Sequence, residues 1–250
     1  MPARGHLVPT SGSTPDDRTA VAGITIRRNS ISGAGDGPRR NQTFIRELLR
    51  WARENGRSFP WRTTEDPFRI LVAEVLLQRS RGTTVARVYE ELFTRWPTPQ
   101  ALAGASVDAI AAVIKPLGLV KRAATLRSLA EQVADSGMPS TVEGLEHLPG
   151  VGRYAANAAT AGAFGLNTAA VDSVSARVYR RVFAFTAERE GQVDDRLWRL
   201  VEEVSPRKHL GNWNWAVLDL AATVCLPARP RCEQCPVVMA CRYAEGRVRG

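Results

Sequence analysis

Residues Leu148 to Asp172 read LPGVGRYAANAATAGAFGLNTAAVD, and this stretch decides how the chain is understood. Pro149-Gly150-Val151-Gly152 sets two glycines one residue apart between the apolar anchors Leu148 and Val151, a hairpin signal. Glycine takes positive φ without penalty and lets another backbone come close. Helical patterning resumes at once with Arg153, Tyr154, Ala155 and Ala156, so Gly152 stands at a helix start. Unpaired N–H groups there, with the helix dipole behind them, form a phosphate site. Candidate contacts are Leu148, Gly150, Val151, Gly152 and Arg153, with the backbone amides of Val151 and Gly152 holding the phosphate. Twenty residues beyond Gly152, Asp172 closes an uncharged run from Tyr154 to Val171. Taken alone, the stretch is better read as an ordinary turn followed by a capping aspartate. A buried glutamate and a group of cysteines reverse that reading.

The 250 residues are 44% hydrophobic, enough for one large core or two modest ones, and the net charge is +9. That balance favours polyanions, of which nucleic acid is the commonest in cytosol. Residues 1–20 lack an apolar signal core and carry Asp16 and Asp17, and the run from Tyr154 contains Asn157, Thr160 and Asn167, too polar for a membrane span. The expectation is a soluble, cytoplasmic, monomeric protein, nucleoid-associated if prokaryotic, with no membrane partner.

Residues 1–41, rich in Gly, Ser, Thr, Pro and Arg, are expected to be a disordered basic arm. Phe44, Ile45, Leu48, Leu49 and Ala52 then share a helical face that ends near Gly56. Ser58 to Arg62 reads as a connector. Asp66-Pro67 opens a helix to Ser80 that is apolar nearly all round apart from Arg69, Glu74 and Gln78-Arg79-Ser80. Such a helix is buried, so Glu74 must be paired or have a raised pKa; a salt-bridged structural role competes with a role in a site. Further helices are expected from Thr84, from Ser106 to Ile114, from Leu119 to Asp135, after a Ser140/Glu143 capping box, through Val174 and Val182, through Leu197 and Val201, and from Asn214 to Val224. No strand pattern emerges, and the fold class is all-α.

All four cysteines fall between residues 225 and 241, as Cys225-x6-Cys232-x2-Cys235-x5-Cys241. In a cytosolic chain such clustering argues for a metal centre rather than disulfides. The wide arms around the single short pair Cys232/Cys235 favour a [4Fe-4S] cluster, with zinc as the alternative.

Together, the cysteine spacing and LPGVG with its aspartate resemble the helix-hairpin-helix DNA glycosylases of the endonuclease III superfamily, over roughly Phe44 to Tyr243. The resemblance implies two helical domains with double-stranded DNA and a flipped base in a cleft between them. One would be a six-helix barrel over residues 66–165, the other residues 42–65 with 166–250 and the cluster loop. Asp172 falls where the family keeps its catalytic aspartate. Bifunctional members carry a lysine two residues after the second hairpin glycine; Tyr154 stands there, which implies hydrolysis without strand cleavage. Glu74 and Tyr154 would line the base pocket, Gln78 and Arg79 would meet DNA with Arg79 at the wedge position, and Arg229 and Arg231 would meet the backbone.

The block FPWRTTEDPFRILVAEVLLQRS is similar to two subfamilies that share an acidic residue at Glu74: thymine/uracil glycosylases acting opposite G, and adenine glycosylases acting opposite oxidised guanine. Three features favour the first. Gln78-Arg79-Ser80 stands in place of the adenine enzymes' Gln-Gln-Thr, and Asp172-Ser173-Val174 in place of Asp-Gly-Asn. The chain also ends nine residues after Cys241, where those enzymes carry a further domain. Ser173-Val174 departs from the usual pattern of both. A rival of another class is a DNA-binding scaffold without catalysis; Asp172 and Glu74, neither needed to grip phosphate, speak against it.

Overall fold

The computed structural model describes residues 37–186 and 194–248. Among them there is no strand, and no helix is long and apolar enough to cross a membrane. Most of the expected arm lies outside the described residues, but its last five belong to helix α1 (Gly37–Asn55) and correct the expectation. That first turn is held by polar contacts invisible to apolar periodicity: the Arg40 guanidinium donates to Ala240 O (3.2 Å) and Glu245 Oε1 (2.9 Å).

Helices α2 (Pro67–Leu77), α3 (Gly82–Arg95), α4 (Pro99–Ala103), α5 (Val107–Ile114), α6 (Arg122–Ser136) and α7 (Val142–Glu146) follow in order. Asp66, Thr98 and Ser106 cap α2, α4 and α5 by accepting backbone N–H bonds. At α7 the cap is Thr141, which accepts from Gly144 N at 3.1 Å, and not the expected Ser140. One residue decides this: Thr141 places the accepted amide three positions on, where the helix leaves it unpaired. Helix α2 ends at Leu77, three residues before its expected end. These helices and the first half of α8 (Arg153–Ala163) enclose one apolar core that runs from Phe59 to Ala159.

The second core joins Phe44 and Leu48 of α1 to residues between Ala161 and Ala244, including α9 (Ser173–Phe183), α10 (Asp195–Val204), α11 (Leu210–Thr223) and α12 (Arg242–Val248). Phe44 lies edge-on to Trp213, Phe183 and Tyr179 at ring distances of 5.1, 5.5 and 6.3 Å. The Trp213 indole N–H donates to the Tyr179 hydroxyl at 3.0 Å inside that core.

Helix α8 supplies both cores: Ala155, Ala156 and Ala159 to the first, Ala161 to the second. This explains its alanine-rich composition. A Cβ on Gly211 would stand 3.1 Å from Ala161 O and 3.2 Å from Gly162 Cα, so α8 and α11 cross almost backbone to backbone. The tight crossing fixes where α8 and the segment leading to Asp172 point.

Candidate active site

A pocket of about 990 Å³ is lined by Glu74 from α2, Tyr154 from α8 and Asp172 ahead of α9, with Arg62, Trp198 and Trp215 among its other walls. The three residues singled out for chemistry thus share one cavity, although they stand 80 and 18 positions apart in the chain.

Glu74 is 5% exposed, and its Oε2 has no hydrogen-bond partner among the described residues. Burial first, then the negative charge of Asp172, push its pKa up to about 8 against the opposing pull of Arg62. At neutral pH the Glu74 carboxyl therefore keeps its proton. Half-buried Tyr154 has its phenol held well above the ordinary value, by burial and then by the charges of Glu74 and Asp172. It stays neutral and cannot serve as an anionic nucleophile.

Asp172 is the N-cap of α9 as well as a pocket residue. Its Oδ1 accepts from Val174 N (3.0 Å) and Ser175 N (2.6 Å), while Ser175 Oγ accepts from Asp172 N at 2.9 Å, completing a capping box. Both side-chain bonds fall on Oδ1. The capping and chemical readings of this residue are therefore compatible: the cap orients the carboxyl that faces the pocket.

The residues missed from the sequence include Arg57, Phe59, Trp61 and Arg62, which also line the pocket, and Asp219, which holds two of them. Asp219 on α11 is 1% exposed and accepts from two arginines: Arg62 NH1 and NH2 at 2.8 and 2.9 Å, Arg57 Nε at 2.7 Å, and Arg57 N at 2.9 Å. Burial alone would raise this carboxyl; the bonds and charge of Arg62 and the bonds of Arg57 outweigh it and hold the group below its ordinary 3.8. The Arg62 guanidinium also lies 5.2 Å from the Phe59 ring and 5.3 Å from Trp215, and Phe59 stacks on Trp61 at 4.7 Å. Residues 58–62, expected to be a mere connector, form a pocket wall. The signal was present: Asp219 is the lone acid within Trp215–Ala222, the same anomaly that marked Glu74.

Around the hairpin, Gly150 takes φ +77°, and a Cβ there would meet Thr125 Cγ2 at 2.5 Å. The Val151 amide donates to Leu148 O at 3.1 Å, and the Leu148 and Val151 side chains are buried. This corrects the expected phosphate donor: the tight turn already uses the Val151 amide. Gly152 is the N-cap of α8 with no side chain capping that end, and its N–H and those that follow start the helix without an intrahelical acceptor. Arg153 pairs with Asp195 at 2.5 Å and lies 4.1 Å over the Trp198 ring, on the pocket wall. Gln78 and Arg79 are exposed on the same pocket, and Arg229 and Arg231 are exposed on the cysteine loop.

Cys225, Cys232, Cys235 and Cys241 all line one small cavity. The loop is strapped to α9: Arg177 donates to Ala221 O and Cys225 O (both 2.9 Å), and Arg181 donates to Leu226 O (2.7 Å), Pro227 O (2.6 Å) and Cys225 Sγ (3.3 Å). Burial, then the neighbouring thiols, push Cys235 up to about 12. Among the described residues no three candidate ligands stand at the spacing of a single metal ion.

The profile of the HhH-GPD superfamily of base excision DNA repair proteins matches residues 72–203, more than half of the chain. A thymine-DNA glycosylase from Aeropyrum pernix is 34% identical over 212 residues, covering 82% of this chain and 95% of the relative. The human adenine DNA glycosylase is 38% identical over 212 residues, covering 80% of this chain but only 39% of that longer protein. The solved structure of a thermostable thymine-DNA glycosylase superposes with a TM-score of 0.79 at 31% identity, over 84% of this chain and 99% of the other. An endonuclease III–DNA complex shares the fold at a TM-score of 0.73 and 22% identity, over 86% of this chain and 99% of that one. With the fold, the hairpin and this pocket in place, the chain belongs to the HhH-GPD superfamily of base excision DNA repair proteins.

Proposed function

We propose that this chain is a monofunctional DNA glycosylase that hydrolyses the N-glycosidic bond of T or U opposite G. One observation carries the reading: the buried Glu74 carboxyl, the capped Asp172 carboxyl and the Tyr154 phenol line one pocket. Breaking the bond between sugar C1′ and the base nitrogen sends the electron pair to the base and builds positive charge on the sugar. The Asp172 carboxylate stabilises that charge. Glu74, holding a proton at neutral pH, gives it to the departing base. Water then adds at C1′ and loses its proton to Asp172. Extruding a base costs a few kcal/mol and is cheapest at a mismatch, which supplies part of the selectivity.

Thymine/uracil excision is favoured by Arg79-Ser80, which departs from the pattern of the adenine enzymes, whereas Ser173-Val174 departs from that of both subfamilies. The retained Glu74 keeps A opposite 8-oxoguanine as the second reading. Tyr154, in place of the bifunctional members' lysine, supports hydrolysis without a Schiff base. On duplexes carrying G:T, G:U or 8-oxoguanine:A, the purified chain is expected to release T and U, to cleave the strand only after alkali, and to form no borohydride-trapped complex. Release confined to A opposite 8-oxoguanine would transfer the assignment to the second reading.

The phosphate beside the extruded base would sit on the Gly152, Arg153 and Tyr154 amides at the uncapped start of α8, where the helix dipole favours it. The donor set fits a [4Fe-4S] cluster: four thiols line one cavity, and binding a metal centre there would displace their protons. The wide arms around the single short pair Cys232/Cys235 favour the cluster over zinc. When bound, it would tie Cys225, Cys232, Cys235 and Cys241 together and brace Arg229 and Arg231 toward DNA. Iron and acid-labile sulfide in the purified chain, rather than zinc, would identify it.

The raised Glu74 pKa gives the pH dependence its sign. Glu74 works only while protonated, so on the alkaline side the rate falls as pH rises through the value of about 8 to which burial pushes its carboxyl. Glu74→Gln, which cannot give up a proton, is expected to slow excision by about 10²-fold and to erase that alkaline limb. An alkaline limb unchanged in the variant would assign it to another group.

A further inference from the structure

The turn that follows α2 is built more elaborately than a helix end requires. Arg79 is exposed on the pocket rim with φ +57°, a left-handed conformation that is unfavourable for a non-glycine residue and persists only where its surroundings enforce it. Hydrogen bonds donated by three residues enforce it. The Arg122 guanidinium, at the first position of α6, donates to Leu76 O at 3.2 Å and to Gln78 O, the carbonyl of the peptide joining Gln78 to Arg79. The Gln78 side chain donates to Gly150 O in the hairpin at 2.9 Å. Ser80 N donates to Leu77 O at 3.0 Å. One turn further along α6, Thr125 sits where a Gly150 side chain would be, so α6 touches both the rim turn and the hairpin.

This placement is unfavourable for Arg122 itself. It is a cation at a helix N-terminus, where the dipole opposes it, and burial followed by the charge of Arg79 lowers its pKa. The carbonyls it meets at the C-terminus of α2, Leu76 O and Gln78 O, offset the cost.

We propose that Arg122 is a positioning residue for base extrusion, one that fixes the Gln78–Arg79 peptide so that the Arg79 side chain enters the duplex as the target base leaves it. The proposal rests on the glycosylase reading above. Arg122 touches neither base nor sugar; it acts through Arg79. Losing it frees the peptide to flip and withdraws Arg79 from the rim, while the pocket carboxyls stay where they are.

The test reads extrusion apart from hydrolysis. In the Asp172→Asn background, a 2-aminopurine placed beside the mismatch should brighten on binding, because its neighbour has left the stack. Adding Arg122→Ala should abolish the rise without loss of binding, whereas Arg122→Lys, which keeps a donor and a charge, should retain most of it. With Asp172 intact, Arg122→Ala should slow single-turnover excision from duplex by about tenfold to 10²-fold, the cost of a misplacement near 1 Å. A target already unpaired in a bulge should recover most of that loss. Arg79→Ala with Arg122→Ala should be no slower than Arg79→Ala alone, because both act through one element. Multiplicative losses, or an Arg122→Ala variant that keeps the fluorescence rise, would overturn the proposal and leave the glycosylase reading standing. Binding by the Asp172→Asn chain without any rise would sink both.

Discussion

Asp172→Asn is expected to cut single-turnover excision by roughly 10³-fold or more, because a fixed charge opposite a cationic transition state is among the largest single catalytic effects. The variant isolates chemistry from structure. Asparagine caps helices about as well as aspartate, so the Oδ1 bonds to Val174 N and Ser175 N keep an acceptor and stability should change by less than about 1 kcal/mol. DNA binding should be nearly unchanged, since the phosphate site proposed at Gly152 is separate from the α9 cap. Binding measured by anisotropy, beside the excision rate, separates the outcomes. Parallel loss of binding and rate would reduce Asp172 to a capping residue.

The largest expected effect on stability lies at the Arg62–Asp219 pair. Asp219→Ala would leave the Arg62 guanidinium, with its side chain 11% exposed, facing a cavity where its counter-charge was. Removing one member of a buried pair costs roughly 3–5 kcal/mol. For a chain of this size that is a fall in Tm of roughly 10 °C. The pH dependence follows from the lowered carboxyl: its stabilisation is present above the ordinary 3.8 and is lost as pH drops through the lower folded-state value. Asp219→Ala should remove that acid-side loss. Asp219→Asn, which keeps acceptors but not charge, should fall between. An unchanged melting temperature in Asp219→Ala would show that the network contributes little to folding. Because Arg62 also opposes the rise in Glu74's pKa, releasing it should displace the alkaline limb of the excision profile.

What could be read from the residues and what could not divides along sequence distance. The hairpin, the start of α8 and the anomaly of Glu74 in an apolar helix follow from spacing and composition within a few turns. The Arg62–Asp219 pairing spans 157 positions, and nothing local couples a tryptophan-flanked arginine to a distant acid. Helix α1 begins inside the expected arm because Arg40 is held by Ala240 and Glu245, two hundred residues on. The Val151 amide shows the reverse failure. A free donor was inferred from a glycine pair, but the turn geometry that Gly150 permits consumes it within four residues. Whether Asp172 capped a helix or did chemistry stood as a choice in the sequence; the structure makes it the cap of α9 and a pocket-lining residue at once, because only one oxygen is needed for the cap.

The central claim is that the carboxyl at position 172 faces the sugar of an extruded nucleotide. The most direct measurement is a crystal structure of the Asp172→Asn chain bound to a G:T or G:U duplex. The account predicts the target base inside the pocket against Glu74 and Tyr154, with the residue 172 side chain about 3–3.5 Å from C1′ or from a water poised beside it. A duplex bound with its target base still stacked, or extruded with residue 172 turned away from the sugar, would contradict it.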